Sequence, residues 1–207
     1  MLMTSEVTTT IGIYLFPKVE VLDFAGPYEV FTTAARVAGR RNPDAPPLFA
    51  VFTVAATIEP VPAGAGLRVI PDFAIAAHPP IDVLIVPGGV VTAELARPRV
   101  LEWVRMTAQQ AAVTASVCTG AFILAQAGVV TTQSVTTHWE DLADLQTAFP
   151  LLRVVGGVRW VDEGRVVTAA GISAGIDMSL HLVARIAGRE LAEVTARQME
   201  FDWRQDF

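Results

Sequence analysis

The only cysteine of the chain, Cys118, lies in the stretch VTASVCTGAFILAQAG (residues 113–128), where a β-branched run meets an alanine-rich apolar segment. A side chain that directly follows a strand and precedes a helix sits on a sharp turn and projects above the sheet. The helix N-terminus carries a partial positive charge, which lowers the pKa of a cysteine placed there. We therefore expect Cys118 to be a nucleophile that is largely ionised. The alternative is a small buried hydrophobic residue.

A second feature that favours chemistry is the sequence Pro87-Gly88-Gly89, which ends the apolar run IDVLIVPGGV. Glycines let backbone amides come close to a ligand. The amides of Gly89 or Val90, together with that of Thr119, are therefore expected to form an oxyanion-type hole beside the sulfur. The alternative reading of these glycines is a tight turn alone.

A cysteine nucleophile needs a partner that accepts and returns a proton. Asp23, in VEVLDFAGPYEVF, follows the first apolar strand and is the carboxylate candidate; its alternative role is to cap a helix ahead of Pro27. Among the three histidines, His138 in TTHWED is a possible partner. The spacing of His181 is typical of a structural residue in a helix core, and His78 has no obvious chemical partner.

Metal and cofactor sites are not predicted. One cysteine and three scattered histidines give no recognisable ligand spacing, and no GxGxxG follows the first strand. We expect neither a metal nor a dinucleotide.

The elements that must position these residues alternate between apolar strands and amphipathic helices, which predicts parallel βαβ units. The whole chain, residues 1–207, is expected to form one α/β domain, a doubly wound parallel sheet with helices on both faces and a small antiparallel addition. Strands are predicted at 9–16, 49–56, 67–75, 81–89 and 111–117, with a hairpin at 159–170. Helices are predicted at 28–39, 95–110, after Cys118, and at 139–150, 172–188 and 189–202.

Composition narrows the possible partners. The formal net charge of -6 argues against nucleic acid and against an anionic membrane surface, because both require a basic patch. No apolar run reaches the ~20 residues that cross a bilayer, and the N-terminus lacks the pattern of a signal peptide. We expect a cytoplasmic protein that binds a small uncharged molecule.

Taken together, these motifs resemble the DJ-1/PfpI superfamily. The resemblance runs in order through IGIYLFPKVEVLDFAGPYEVF, DVLIVPGG, SVCTGAFILAQAGVV, TTHW and GISAGIDMSLHLVARIAG, and so covers nearly the whole chain. It implies a flavodoxin-like fold related to class I glutamine amidotransferases, with the cysteine at a strand-to-helix elbow. It also implies a homodimer, which is common in the superfamily.

Within the superfamily, the chaperone, protease-like and glyoxalase-like branches usually have histidine after the cysteine and glutamate on the first loop. This chain has Thr119 and Asp23 at those positions. The pattern resembles isocyanide hydratases, and also the ligand-sensing domains of AraC-type regulators.

The hydratase resemblance implies that water is added to an organic isocyanide through a cysteine thioimidate. Cys118 would be the nucleophile, Asp23 the proton donor and base, and Thr119 the residue that orients Asp23 or the water. Ile172 would line the pocket. A sensing domain would instead detect a ligand or oxidant without turnover. Its usual helix-turn-helix companion is absent from these 207 residues, which favours the enzyme without deciding the question, because a fragment would have the same sequence.

Overall fold

A seven-stranded sheet forms the centre of the computed structural model, which describes residues 7–205. The strand order is β10-β11-β7-β6-β1-β2-β5, and only the β10–β11 pair is antiparallel. The strands are β1 (Thr9–Leu15), β2 (Phe49–Ala55), β3 (Val61–Pro62), β4 (Arg68–Val69), β5 (Phe73–Ala74), β6 (Val83–Val86), β7 (Val113–Val117), β8 (Ser134–Val135), β9 (Arg153–Val154), β10 (Trp160–Asp162) and β11 (Val166–Ala169).

The helices form two groups that pack on this sheet. The helices α1, α6 and α7 contact one another, and α2, α3 and α4 do the same, as expected for a sheet covered on both faces. They are α1 (Val21–Arg41), α2 (Thr92–Leu95), α3 (Pro98–Gln110), α4 (Gly120–Gln126), α5 (Leu142–Ala148), α6 (Ala174–Ala187) and α7 (Arg189–Gln198). Among residues 7–205, no helix has both the length and the apolar character needed to cross a membrane.

The predicted α/β architecture is confirmed. Strands β6 and β7 are buried along their whole length, which is why their sequences VLIV and VTASV are short and rich in β-branched residues. Along the five main parallel strands the order is β2-β1-β6-β7-β11, which is the flavodoxin-like arrangement. In such sheets, ligands bind beyond the carboxyl ends of the strands where the order reverses, here between β1 and β6.

Several predicted boundaries of helices and strands were wrong, and most of these errors lie at glycine or proline residues. Helix α1 begins at Val21 and continues through Gly26-Pro27, whereas the sequence predicts a helix that begins only at residue 28. The helix predicted at 95–110 is divided, because α3 begins anew with Pro98 at its first position. The strand predicted at 67–75 contains only the short strands β4 and β5, on either side of Pro71.

Candidate active site

Cys118 lies on the sharp turn between β7 and α4 that the sequence predicted. Its φ of 55° places it in the left-handed region, which costs a non-glycine residue about 1–3 kcal/mol and is typical of functional sites. Gly120 makes the turn possible, because a Cβ at that position would lie 2.1 Å from the carbonyl oxygen of Val86. The hydroxyl of Thr137 donates a hydrogen bond of 2.8 Å to the carbonyl of Cys118 and holds the turn from the other side.

Asp23 lies in the first turn of α1, and its side chain is fully buried at 0% exposure. Its Oδ2 accepts a hydrogen bond of 2.9 Å from the amide of Gly88, whereas its buried Oδ1 has no well-formed hydrogen bond among the described residues. The capping role was the wrong alternative, because the side chain of Glu20 caps this helix by accepting from the amide of Val21. Asp23 is therefore available to the thiol.

The carboxyl group of Asp23 is a much weaker acid than an ordinary aspartate. Burial raises its pKa from 3.8 to about 7, and the nearby charge of Glu20 adds to the increase. The amide of Gly88 and the thiol of Cys118 oppose that increase as hydrogen-bond partners of the carboxylate. The carboxyl of Asp23 therefore changes its charge near neutral pH, which suits a group that both accepts and delivers protons.

The expected thiolate at Cys118 is not what the structure supports. Burial and the charge of Asp23 raise the pKa of the thiol to about 12. The amides of Thr119 and Ile172 and the hydroxyl of Thr119 are near the sulfur and lower that pKa only in part. The residue is 7% exposed, so burial and a neighbouring carboxylate outweigh the helix N-terminus. In the resting protein, sulfur carries its proton and Asp23 is the group positioned to take it.

The oxyanion hole predicted at Gly89 and Val90 also needs correction. The amide of Gly89 donates to the hydroxyl of Thr119 at 2.8 Å, and the amide of Val90 donates to the carbonyl of Lys18 at 3.2 Å. Both amides are thus engaged within the protein. The amides that contact the sulfur belong to Thr119 and Ile172.

Thr119 connects the two loops that meet at the site. Its hydroxyl accepts from the amide of Gly89 and donates to the carbonyl of the same residue at 2.9 Å. The close approach needs glycine at position 88, where a Cβ would lie 2.6 Å from the amide nitrogen of Thr119. No hydrogen bond joins Thr119 to Asp23 in the described part of the chain, so its observed role is to fix the Gly88–Gly89 loop against the elbow.

His138 and Ile172 line a cavity of about 300 Å³ beside the elbow. Ile172 has a φ of 47°, and its amide faces the sulfur. The ring of His138 packs against Gly171, where a Cβ would lie 2.2 Å from its Cδ2. On its other side, Nδ1 of His138 lies 3.4 Å from Oδ2 of Asp141. His138 therefore belongs to the cavity wall and not to the Cys118–Asp23 pair.

Sequence reasoning missed Arg159, which lines the same cavity and forms an ion pair with the fully buried Asp177. Nothing in the alternating hairpin sequence distinguishes this arginine. The structural role predicted for His181 is supported, although its ring lies in a partly exposed cluster where it contacts Oδ2 of Asp162 at 2.7 Å and stacks on Trp160. Within residues 7–205, no group of three or more His, Cys, Asp or Glu side chains is placed to hold a metal ion.

A cysteine on a strained strand-to-helix elbow, near a buried carboxyl group on a flavodoxin-like sheet, defines a class of α/β proteins with a thiol at the carboxyl edge of the sheet. The sequence model of the DJ-1/PfpI family matches residues 9–185, and the chain belongs to that family.

Similar proteins include both enzymes and regulators. The chain is 34% identical over 194 residues to the isonitrile hydratase of Pseudomonas putida, covering 92% of this chain and 78% of the hydratase. It is 30% identical over 193 residues to the HTH-type transcriptional regulator GbdR of Pseudomonas aeruginosa, covering 93% of this chain but only 51% of the regulator.

Among solved structures, a ThiJ/PfpI family protein from Pseudomonas syringae superimposes with a TM-score of 0.82 at 26% identity. That match covers 97% of this chain and 78% of the other. Drosophila melanogaster DJ-1beta, with a TM-score of 0.80 at 19% identity over 95% of this chain and all of the other (100%), shares the fold.

Proposed function

We propose that the chain is an isonitrile hydratase, which adds water to an organic isocyanide, R–N≡C, to give an N-substituted formamide. The observation that carries this proposal is the pairing of Cys118 with Asp23, a buried carboxyl group whose pKa is raised to about 7. Isocyanide hydration needs a nucleophile and a proton donor that act on the same carbon atom, and these two side chains provide both.

In the first half of the proposed reaction, the sulfur of Cys118 attacks the terminal carbon of the isocyanide while the carboxylate of Asp23 takes the thiol proton. The protonated Asp23 then delivers that proton to the same carbon. The product is a covalent thioimidate, R–N=CH–S–protein. This sequence does not require a free thiolate, and so agrees with the pKa of about 12 for the resting thiol.

In the second half, water adds to the carbon of the thioimidate. Asp23, ionised again, takes one proton from the water and passes it to the nitrogen. The tetrahedral intermediate R–NH–CH(OH)–S–protein then collapses, the C–S bond breaks, and the hydroxyl proton returns through Asp23 to the sulfur. The sum is one isocyanide and one water converted to one formamide, with the enzyme regenerated.

The cavity of about 300 Å³ supports a small, uncharged substituent R. Its volume is at the lower end of ligand pockets, and its wall includes Ile172, whose amide is near the sulfur. The positive charge of Arg159 in its wall is already paired with Asp177. A charged substituent would therefore find no free counter-ion there.

The test is to incubate purified protein with cyclohexyl isocyanide and to measure the N-substituted formamide, with Cys118→Ala and Cys118→Ser alongside. Wild-type protein should form product, and both variants should lose turnover because the nucleophile is gone. Mass spectrometry after rapid acid quench should find the mass of the isocyanide added to wild type and not to Cys118→Ala. Normal turnover by Cys118→Ala would refute the covalent step.

A second candidate function is ligand sensing, and the match to GbdR favours it. The chain spans about half the length of that regulator, so the matched region is only part of a larger protein. The protonated resting thiol also suits a site that binds without reacting. Saturable binding of cyclohexyl isocyanide to wild type, with no formamide formed, would support this candidate over the hydratase.

A further inference from the structure

A second cavity, of about 620 Å³, lies where β2 ends and the α2–α3 junction begins, and it shares no lining residue with the cavity beside Cys118. Its volume is within the range of small-molecule sites. None of its ten lining residues is acidic. Those that matter here are Arg97, Arg99 and Trp103.

Trp103 provides this cavity with an aromatic wall whose position is fixed from behind. Its Nε1 donates a hydrogen bond of 2.8 Å to Nε2 of His78, whose Nδ1 lies 2.7 Å from the carbonyl of Pro79. One neutral tautomer of His78, with the proton on Nδ1, satisfies both contacts. The ring of Tyr14 lies 5.3 Å from that of Trp103, and its hydroxyl donates to the buried Glu94. A ligand would therefore meet a ring that needs little reorganisation.

The two arginines of the cavity differ in their partners. Arg97 pairs with Glu94 at 3.3 Å. The side chain of Arg99 has no hydrogen bond or ion pair with any residue that the structure describes. Arg99 thus lines a cavity that has no acidic lining residue, and its charge has no counter-ion among the residues that the structure describes. Guanidinium groups bind carboxylates and phosphates through paired hydrogen bonds, so this feature selects an anion.

We propose that the cavity defined by Trp103 and Arg99 binds a small organic anion, with a carboxylate or phosphate group on Arg99 and a flat apolar body against Trp103. Both charge and shape support this assignment, because the lining of the cavity includes the unpaired arginine Arg99 and the fixed indole of Trp103. The site is separate from Cys118 and does not depend on the hydratase proposal. It indicates a second ligand of opposite character to the uncharged isocyanide.

The test uses the indole N–H signal of Trp103 in ¹⁵N-labelled protein, assigned by its loss in Trp103→Phe. The probes are 2-naphthoate, 2-naphthyl phosphate, the neutral 2-naphthamide and inorganic phosphate. We expect at least one aromatic anion to shift the Trp103 signal saturably, with a Kd below about 1 mM. The amide and inorganic phosphate should each bind at least about tenfold more weakly, since each lacks one half of the recognised chemistry. The stronger of the two aromatic anions identifies the charged group.

The decisive variant is Arg99→Gln, with Arg68→Gln as the matched control. Both arginines are exposed, and Arg68 lies on β4 outside this cavity. Arg99→Gln should weaken binding of the aromatic anion about tenfold or more, and Arg68→Gln should leave it unchanged. Neither change should alter isocyanide turnover. The proposal is overturned if no saturable shift occurs, if 2-naphthamide binds as tightly as 2-naphthoate, or if both arginine variants bind like wild type.

Discussion

Two of the aspartates within residues 7–205 are completely buried, and their surroundings differ. Asp177, on α6, is 0% exposed, and both of its carboxylate oxygens are occupied. Oδ2 accepts from Nε of Arg159 at 2.8 Å, and Oδ1 accepts from the amide of Arg204 at 2.9 Å. The indole of Trp203 also donates to the carbonyl of Asp177. This carboxylate joins the hairpin strand β10 and the segment after α7 to one helix.

Asp23 is equally buried, but it accepts from one amide, that of Gly88, and forms no ion pair with any residue in the described part of the chain. Its Oδ1 has no well-formed hydrogen bond among the described residues, the thiol of Cys118 is a neighbour of the carboxyl group, and the pKa of Asp23 is raised to about 7. Burying a carboxylate without a counter-charge costs free energy. Burial alone therefore does not distinguish a candidate functional carboxyl group from a structural one. Asp23 differs from Asp177 in that it has no paired cation among the described residues and has a thiol nearby.

The largest effect is expected from Asp23→Asn on turnover. Asparagine keeps the shape of the side chain but cannot carry a proton from sulfur to carbon, so kcat for isocyanide hydration should fall about 10²- to 10⁴-fold. In wild type, kcat/KM should rise with pH and level off above about 7, because the carboxylate form must accept the thiol proton. Wild-type kinetics in the variant, or a flat profile across that range, would leave Asp23 without a catalytic role.

The two aspartates should also respond with opposite signs when each is replaced by asparagine and unfolded by urea at pH 8. Asp177→Asn leaves Arg159 without its counter-charge and should lower the free energy of unfolding by about 3–5 kcal/mol. Asp23→Asn should raise it. The pKa of Asp23 is about 7 in the folded protein and 3.8 for an unperturbed aspartate, which stands for the unfolded chain. The protonated carboxyl therefore contributes its full stabilisation below pH 3.8, and this contribution is lost as the pH rises through 7.

At pH 8, wild type therefore bears the full cost of the ionised carboxyl, which is at most about 4 kcal/mol from a shift of roughly three pKa units. Asparagine removes that cost, and the gain should shrink when unfolding is repeated at pH 5. A gain that is equal at both pH values would assign the effect to packing. A loss of stability at pH 8 would mean that Asp23 is a structural group like Asp177.

The sequence was informative wherever local pattern decides structure. Short β-branched runs such as VLIV and VTASV fold as buried strands because both of their faces are covered. Their alternation with amphipathic helices predicted the parallel sheet. The elbow was equally local, since Cys118, Thr119 and Gly120 occupy consecutive places between an apolar strand and an apolar helix. Once both the β1 and β7 ends were placed at one edge of the sheet, Asp23 was a natural partner for the thiol.

Properties that depend on distant atoms were not predictable in this way. The pKa of the thiol depends on burial and on Asp23, which lies far from it in sequence, and both effects exceed the local helix contribution. The amide of Gly89 donates to the hydroxyl of Thr119, and these two residues come together only when the loops are folded. The ion pair of Arg159 with Asp177 joins a hairpin to a helix and leaves no periodic signal.

The smallest effect is expected from Thr119→Val, which keeps the shape of the side chain and removes its hydroxyl. The amide and carbonyl of Gly89 would lose their partner, so the free energy of unfolding should fall by about 1–2 kcal/mol. Turnover should fall only severalfold, and Thr119→Ser should restore both values because serine keeps the hydroxyl. The opposite result would be a loss of turnover as large as that of Asp23→Asn with the free energy of unfolding unchanged. That result would mean that the hydroxyl takes part in the chemistry, since a residue that only fixes the loop must act through stability or geometry.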